Sequence, residues 1–280
     1  MKHLTILILL LLILTSCTNE KTHSVDNQAN QIDSLKEKFV PILNGVWVLS
    51  TYIDEIEKTK SPLKSSEKLQ DIVTLIINAT IKSDSIEVGA SLNNHEGYSF
   101  TTYFISGKKP NRLKTNIFDY GIQSGFYELG YEILNNQPHL YIYQYDMEGK
   151  SLQKKKFSKV LNSQDKNDAS WGLQYIVNEK LFSGNFLLLD STNNGTMITL
   201  KSDGTITGDP NLKDYYVFTD FGGGPETILD GIVFNRDEKN SSWFAFKIEN
   251  DTTFLYTTIG DEEAGEILQI DKIKYKLVRK

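Results

Sequence analysis

Residues 241–260 read SSWFAFKIENDTTFLYTTIG. Phe244, Phe246 and Ile248 alternate with other side chains, so they share one face of an extended strand. Asn250 and Asp251 favour a turn, and a second apolar segment follows directly. The stretch predicts two short antiparallel strands, each with one buried face.

Similar short segments, separated by turn signals, extend from this stretch in both directions. They are Asn185–Leu189, Thr196–Lys201, Thr205–Thr207, Tyr215–Phe221, Ile228–Phe234, Trp243–Ile248, Thr253–Thr258 and Ile267–Leu277. Seven or eight strands within about 98 residues are typical of an antiparallel barrel or sandwich. No segment is long enough to form the helices of a parallel βαβ fold, which excludes that architecture.

The first half of the chain repeats the second. Segment 131–135 (YEILN) matches 246–250 (FKIEN), and segment 81–89 (IKSDSIEVG) matches 200–208 (LKSDGTITG). Between these blocks, an aromatic pattern recurs 118 residues later: Tyr98, Phe100, Thr101 and Tyr103 against Tyr216, Phe218, Thr219 and Phe221. The near-constant spacing indicates an internal duplication with loop insertions. We therefore predict an all-β chain of two tandem antiparallel β-barrel or β-sandwich units, each with a short lead-in helix.

The repeat and its flanks divide the chain into five parts: 1–16, a signal peptide; 17–44, a lipidated Cys, a tether and a short helix; 45–161, the first unit; 162–183, a linker with a lead-in segment; and 184–280, the second unit. The first unit is longer because of a charged insertion between Tyr52 and Ile72. This insertion contains Pro62, and we expect a loop with a short helix there.

The segment before the first unit changes character along its length. Residues 18–31 are polar and lack an apolar period, which predicts a flexible tether. Apolar residues then recur at helical spacing, which predicts a short amphipathic helix: Ile32, Leu35, Phe39, Val40 and Leu43. Pro41 limits this helix, since proline breaks or kinks a helix near its position.

Each unit begins with glycine followed two positions later by an aromatic residue, in Gly45-Val46-Trp47 and Gly184-Asn185-Phe186. This start resembles the Gly-x-Trp of lipocalin-like, calycin-type barrels, from which Phe186 departs. The resemblance implies an eight-stranded meander barrel whose interior holds one small apolar ligand. Side chains often fill small barrels completely, so the sequence leaves open whether the interiors are hollow or filled.

The N-terminus carries an export signal. Lys2 precedes an apolar run of eleven residues, Leu4–Leu14, which is too short to span a bilayer and has the length of a signal-peptide core. Leu14-Thr15-Ser16-Cys17 resembles the lipobox of bacterial lipoproteins. The resemblance implies cleavage after Ser16, a diacylglyceryl thioether on Cys17 and acylation of the new N-terminus, with the membrane as partner. The alternative is a secreted protein with a free thiol.

Thr18, rather than Asp, follows the lipobox, which resembles lipoproteins sent to the outer membrane of Gram-negative bacteria. The sequence leaves the membrane face open. The chain has a net charge of −6, or −7 after loss of Lys2, which disfavours nucleic acid as a partner. Cys17 is its only cysteine, so it forms no internal disulfide, and packing alone must stabilise the fold.

No catalytic or metal-binding motif stands out, and we expect no enzymatic activity, no metal and no cofactor. The histidines of the mature chain, His23, His95 and His139, are not at ligand spacing. Asp261-Glu262-Glu263 lacks the pattern of a calcium loop, and Gly222-Gly223-Gly224-Pro225 opens no helix and lacks a Lys for phosphate.

Tyrosines are concentrated in the first unit: Tyr98, Tyr103, Tyr120, Tyr127, Tyr131, Tyr141, Tyr143 and Tyr145. Such side chains suit cross-strand pairs and the core, and also carbohydrate or lipid pockets. We interpret the chain as a non-catalytic, membrane-anchored envelope lipoprotein that binds a small apolar ligand, a glycan or a protein partner. An inhibitor or immunity-type lipoprotein with a basic partner is a narrower form of this hypothesis. The alternative is an envelope polymer hydrolase with a carboxylate pair.

Overall fold

The computed structural model describes residues 20–80, 82–93, 96–117, 125–163, 168, 170–221, 229–236, 238–260 and 269–280. Cys17, the cleavage site after Ser16, His95, Tyr120, Gly222–Pro225 and Asp261–Glu263 lie outside the described residues. The described chain is mostly antiparallel β-structure in two eight-stranded units with a few helices, which confirms the predicted fold class.

The first unit is a closed barrel in which every strand pairs with its sequence neighbours and the last strand pairs with the first. Its strands are β1 (Gly45–Leu49), β2 (Ile72–Ile77), β3 (Ser85–Leu92), β4 (Glu96–Ser106), β5 (Arg112–Thr115), β6 (Gly125–Leu134), β7 (Gln137–Asp146) and β8 (Ser151–Leu161). We call this unit the first barrel.

The second unit is an eight-stranded sheet, here called the second barrel. Its strands are β9 (Gly184–Asp190), β10 (Gly195–Leu200), β11 (Ile206–Thr207), β12 (Tyr215–Val217), β13 (Gly231–Phe234), β14 (Ser242–Glu249), β15 (Thr252–Ile259) and β16 (Gln269–Arg279). The strand order runs from β11 through β10, β9, β16, β15, β14 and β13 to β12. The two edges meet, because Ile206 N donates to Lys213 O at 2.8 Å and Tyr215 N to Gly204 O at 2.8 Å. The sheet thus curls around one core.

The repeated blocks fall on comparable but not identical places. The tip of β6 and β7 and the tip of β14 and β15 are both two-residue turns with Asn at positive φ, at Asn135 and at Asn250. The middle block matches less well. Tyr98 to Tyr103 lie inside the long strand β4, whereas β12 ends at Val217 and excludes Phe218 and Phe221.

Helix α1 (Glu20–Leu43) precedes the first barrel and closes one of its ends. Leu35, Phe39, Val40 and Leu43 are buried in the same core as the barrel interior. The ring of Phe39 meets Tyr131 edge-on, with centroids 5.3 Å apart.

The start of α1 differs from the sequence-based expectation. The predicted flexible tether is helical from Glu20 onward, and the helix continues through Pro41 to Leu43. No Gly or Pro occurs between Glu20 and Val40, so a helix anchored by its packed C-terminal half can extend backward. Pro41 lies in the last turn, where its missing N–H removes only one helical hydrogen bond.

The charged insertion folds as helix α2 (Ser50–Thr59), helix α3 (Pro62–Ser65) and a 3₁₀ turn (Ser66–Lys68). It therefore holds more helix than the predicted loop with one short helix. Tyr52 and Ile56 of α2 are fully buried, in a core shared with the second barrel. Burial of this apolar face explains the helix, because packing stabilises short helices more than propensity does.

Helix α4 (Trp171–Leu181) lies between the two barrels and contacts both. A Cβ on Gly172 would collide with Val46 Cγ1, so the helix touches the outside of β1. At its other end, Phe182 packs against Phe246 and Tyr215, with centroids 5.1 and 6.0 Å away. Helix α4 thus closes one end of the second barrel and joins it to the first.

A half-buried carboxylate adds a polar link between the units. Asp230, just before β13, accepts hydrogen bonds from Ser61 Oγ and from Leu63 N, the latter at 2.8 Å. Ser61 is the N-cap of α3, so Asp230 satisfies donors at the start of that helix. Burial raises the pKa of the Asp230 carboxyl, against the hydrogen bonds from Ser61 and Leu63.

Candidate functional site

The first barrel has an open pocket at the end opposite helix α1. Helix α1 covers the end where β1 begins, and the pocket lies where β3 ends and β4 and β8 begin. Its volume is about 440 Å³. It is lined by Asp71, Ile72, Leu92, Glu96, Gly97, Tyr98, Ile117, Tyr127, Ile142, Gln144, Gln153 and Lys155. We call this cavity the first pocket.

Strand alternation decides which side chains reach the first pocket. On β6, Tyr127 lines the pocket, and on β7, Ile142 and Gln144 do so. The interleaved residues of β7, Tyr141 and Tyr143, instead belong to a separate cluster on the outer face. A one-residue change of register would exchange the two sets, so the pairing of β6 with β7 determines the chemistry of the pocket.

The barrel below the first pocket is solid. Trp47, Leu75, Leu129, Leu140 and Phe157 are fully buried in one continuous cluster. Among the described residues, the interior is therefore filled in its middle and near α1, and the cavity lies at the opposite end. This arrangement is intermediate between the hollow and filled barrels that the sequence left open.

The wall of the first pocket is apolar, with a few polar groups in defined positions. Gln144, which is 7% exposed, donates from Nε2 to Tyr127 Oη at 2.7 Å. At the rim, Lys155 forms an ion pair with Asp71. An apolar wall with a few oriented polar groups is typical of small-molecule sites of about 300–1,000 Å³. The first pocket suits a small amphipathic ligand.

The remaining tyrosines of the first unit have different environments. Tyr131 packs on helix α1, Tyr103 is exposed on β4, and Tyr141, Tyr143 and Tyr145 are buried on the outer face of β7. Most of the described tyrosines are therefore cross-strand or core residues, which is one of the two roles that the sequence suggested. Tyr98 and Tyr127 instead line the pocket.

The outer tyrosines form a polar and aromatic cluster rather than a cavity. The Arg112 guanidinium lies 3.7 Å from the centre of the Tyr143 ring. Tyr143 Oη donates to Glu132 at 3.0 Å, and Lys154 Nζ bonds the same carboxylate at 2.7 Å. Burial raises the pKa of the Tyr143 phenol, so this group stays protonated and can donate.

The structure places the other sequence candidates apart from the pocket. His23 lies in α1, near the N-terminal end of the described chain. His139 lies on β7, paired in register with Glu132, and burial with the nearby charge of Lys156 lowers its pKa. The described part of the chain brings no three His, Cys, Asp or Glu side chains together for a metal ion.

A second cavity of about 420 Å³ lies at the open end of the second barrel. We call it the second pocket. Two carboxylates, Asp190 and Asp209, line it. Asp190 accepts from Thr192 and Asn194 in the turn after β9, and these bonds lower its pKa. A carboxyl group with a lowered pKa is poorly suited to donate a proton as a general acid.

Sequence reasoning identified Tyr98 and Tyr127 only as members of a tyrosine-rich region. It missed Gln144, Gln153 and Lys155, because their period-2 spacing to apolar residues indicates a strand face without showing which strands converge at an end.

Comparison of the chain with models of known protein families, with curated proteins and with solved structures gives no match. No helix in the described ranges has both the length and the apolar character to cross a bilayer.

Proposed function

We propose that this chain is a non-catalytic envelope lipoprotein that binds a small, largely apolar ligand with one polar end in the first pocket. The observation that carries the proposal is an apolar-walled cavity of about 440 Å³ above a filled barrel core. The partly buried Tyr127–Gln144 pair offers hydrogen-bonding groups to a polar end of the ligand. In this proposal the first barrel holds one small ligand, as the resemblance to lipocalin-like barrels implies, and the pocket carries out no reaction.

A matched pair of leucine variants tests the pocket. Leu92 is half-buried and lines the pocket, whereas Leu152 is 49% exposed on β8 and lies outside it. Leu92→Trp should fill the cavity and weaken binding of the neutral fluorophore N-phenyl-1-naphthylamine by about tenfold or more. Leu152→Trp should bind the fluorophore as the unmodified protein does.

Thermal unfolding of both variants, followed by circular dichroism, shows whether each remains folded. Equal fluorophore binding by the unmodified protein and a folded Leu92→Trp variant would contradict the proposal. Mass spectrometry of material that copurifies with the native protein then identifies the ligand class.

The proposed membrane attachment rests on the lipobox resemblance at Leu14–Cys17. Two or three acyl chains on the N-terminal Cys would hold the protein on a membrane almost permanently. In cells that process lipoproteins, Cys17→Ser should abolish labelling by radioactive fatty acid and move the protein to the soluble fraction. Labelling that persists in Cys17→Ser would contradict lipidation at this position. Fractionation of the unmodified protein tests the proposed outer-membrane location.

A further inference from the structure

The second pocket differs in chemistry from the first. It is formed by the turn after β9, the loop between β11 and β12 and the turn after β13, at the end opposite helix α4. The residues that line it are Leu188, Asp190, Asn194, Thr196, Asp209, Asn211, Leu212, Phe234, Asn235, Asn240, Ser242, Phe244 and Tyr275.

Aromatic rings form the floor of the second pocket. Phe234 and Phe244 are buried with centroids 6.0 Å apart, and Phe244 meets Tyr275 edge-on at 5.6 Å. Tyr275 is half-buried, so part of its side chain is accessible from the cavity. Aromatic faces pack well against a ring that presents C–H bonds on its face and polar groups at its edge.

Amide and hydroxyl groups surround this aromatic floor, and part of the rim is held rigidly. Asn235 is 2% exposed; its Nδ2 donates to Asn211 O at 2.8 Å and its Oδ1 accepts from Lys213 N at 2.9 Å. Asn211 N donates to Asp209 Oδ1 at 2.8 Å. The loop between β11 and β12 is thus held through backbone groups of Asn211. The Asn211 side chain is exposed at the cavity.

The charge of the rim restricts the ligand further. None of the described residues that line the second pocket is Lys or Arg, and both charged residues, Asp190 and Asp209, are acids. Hydrogen bonds from Thr192 and Asn194 keep Asp190 ionised by lowering its pKa. Like charges repel strongly at short range in a partly desolvated site, so an anionic ligand is disfavoured.

We propose that the second pocket binds a neutral carbohydrate, with a sugar ring over Tyr275 and its hydroxyl groups bonded by the Asn-rich rim. The carboxylates accept hydrogen bonds from sugar hydroxyls, and the amide side chains both accept and donate. The aromatic floor packs on a C–H face of the ring. The inference is independent of the ligand in the first pocket, because the two cavities lie in different barrels.

Saturation-transfer NMR on the full chain tests this site with maltotriose, cellotriose, mannotriose and triacetylchitotriose. We expect transfer to at least one of these neutral trisaccharides and none to trigalacturonate. Tyr275→Ala should weaken binding by about tenfold or more through loss of the stacking face. Asn211→Ala should weaken it by about threefold to tenfold through loss of a side-chain hydrogen bond to the sugar. The loop should keep its position in this variant, because its contacts use the backbone of Asn211.

Tyr127→Ala is the matched control, since it removes a tyrosine from the first pocket. It should leave sugar binding unchanged while weakening the naphthylamine fluorophore. Thermal unfolding shows which variants fold. If Tyr275→Ala does not fold, Asn211→Ala still tests the site. The proposal is overturned by absence of transfer to all four neutral sugars, by equal transfer to trigalacturonate, or by sugar binding that depends on Tyr127 rather than Tyr275 and Asn211. Fluorophore binding that persists in any of these cases leaves the function of the first pocket intact.

Discussion

The two barrels share their closed ends and differ at their open ends. In each, a helix precedes the first strand and covers the barrel end where that strand begins, at Gly45 and at Gly184. Both glycines have positive φ, 128° and 140°, which favours glycine at this helix-to-strand junction. The open ends carry different loops and different pocket residues. Loops tolerate change that the packed scaffold does not, so two similar scaffolds can carry pockets of different composition.

The closed end of each barrel has a cation close to an aromatic ring. Lys159 of β8 lies 5.0 Å from the Trp47 ring, and Arg279 of β16 lies 4.7 Å from the Phe186 ring. Each pair is also directly opposite in the pairing of the last strand with the first. Lys159 and Arg279 therefore occupy equivalent positions in the two barrels. These two cations are 120 residues apart, two more than the 118-residue spacing of the aromatic pattern.

The largest expected effect tests whether the two closed ends are energetically equivalent. Trp47 and Phe186 are almost fully buried, so Trp47→Ala and Phe186→Ala should each cost about 3–5 kcal/mol of unfolding free energy. Trp47→Ala also removes the bond from Trp47 Nε1 to Leu43 O at 2.8 Å. Urea unfolding measures both. A loss below about 1 kcal/mol in only one barrel would break the equivalence.

The contact of helix α4 with the first barrel comes next. Gly172→Val should lower the unfolding free energy by about 1–3 kcal/mol, because the added atoms collide with Val46. Gly97→Val is the control, since a Cβ at Gly97 meets no atom within 4 Å; it should change stability by less than about 0.5 kcal/mol. Equal urea midpoints for Gly172→Val and the unmodified protein would show that α4 can move away from β1.

The two cations should differ in their contribution. Arg279 also donates to Ser183 O at 2.7 Å and Leu181 O at 3.1 Å, the carbonyls at the end of α4. Arg279→Met should therefore cost about 1–2 kcal/mol, and Lys159→Met about 0.5–1 kcal/mol. Chemical denaturation of both variants in the same buffer compares them. A larger loss for Lys159→Met would mean that the carbonyl contacts add nothing.

The smallest effect concerns the link between the barrels, and it depends on pH. Burial raises the folded-state pKa of Asp230, so between its ordinary pKa and the raised value the folded protein binds more protons than the unfolded chain. The contribution of this group to stability is then greatest below the ordinary pKa and falls as pH rises through the raised value. Asp230→Asn should remove this part of the pH dependence, measured as the melting temperature of both proteins from pH 3 to pH 8. An unchanged difference between the two proteins across that range would contradict a shifted Asp230.

Local patterns predicted much of the secondary structure. Alternation in Trp243–Ile248 and the turn at Asn250 lie on β14 and the β14–β15 turn, because a strand with one buried face needs period-2 apolar side chains. The apolar residues at helical spacing from Ile32 to Leu43 are those that pack on the barrel. The start of α1 was less predictable, since polar residues 20–31 carry no periodic signal and become helical as an extension of a packed segment.

The sequence alone determined the all-β class, because that class follows from short periods along the chain. It also predicted a duplication from recurring spacings between segments. It could not determine which side chains meet at an open barrel end, because those residues are brought together by strand register over long sequence separations. Tyr127 and Gln144 become one hydrogen-bonded pair only when β6 and β7 pair in their observed register. Asp230 likewise meets Ser61 only when the two barrels pack together. Both pockets and the junction between the units are therefore products of tertiary structure, because their contacts depend on closure of the sheets and on the packing of helix α4.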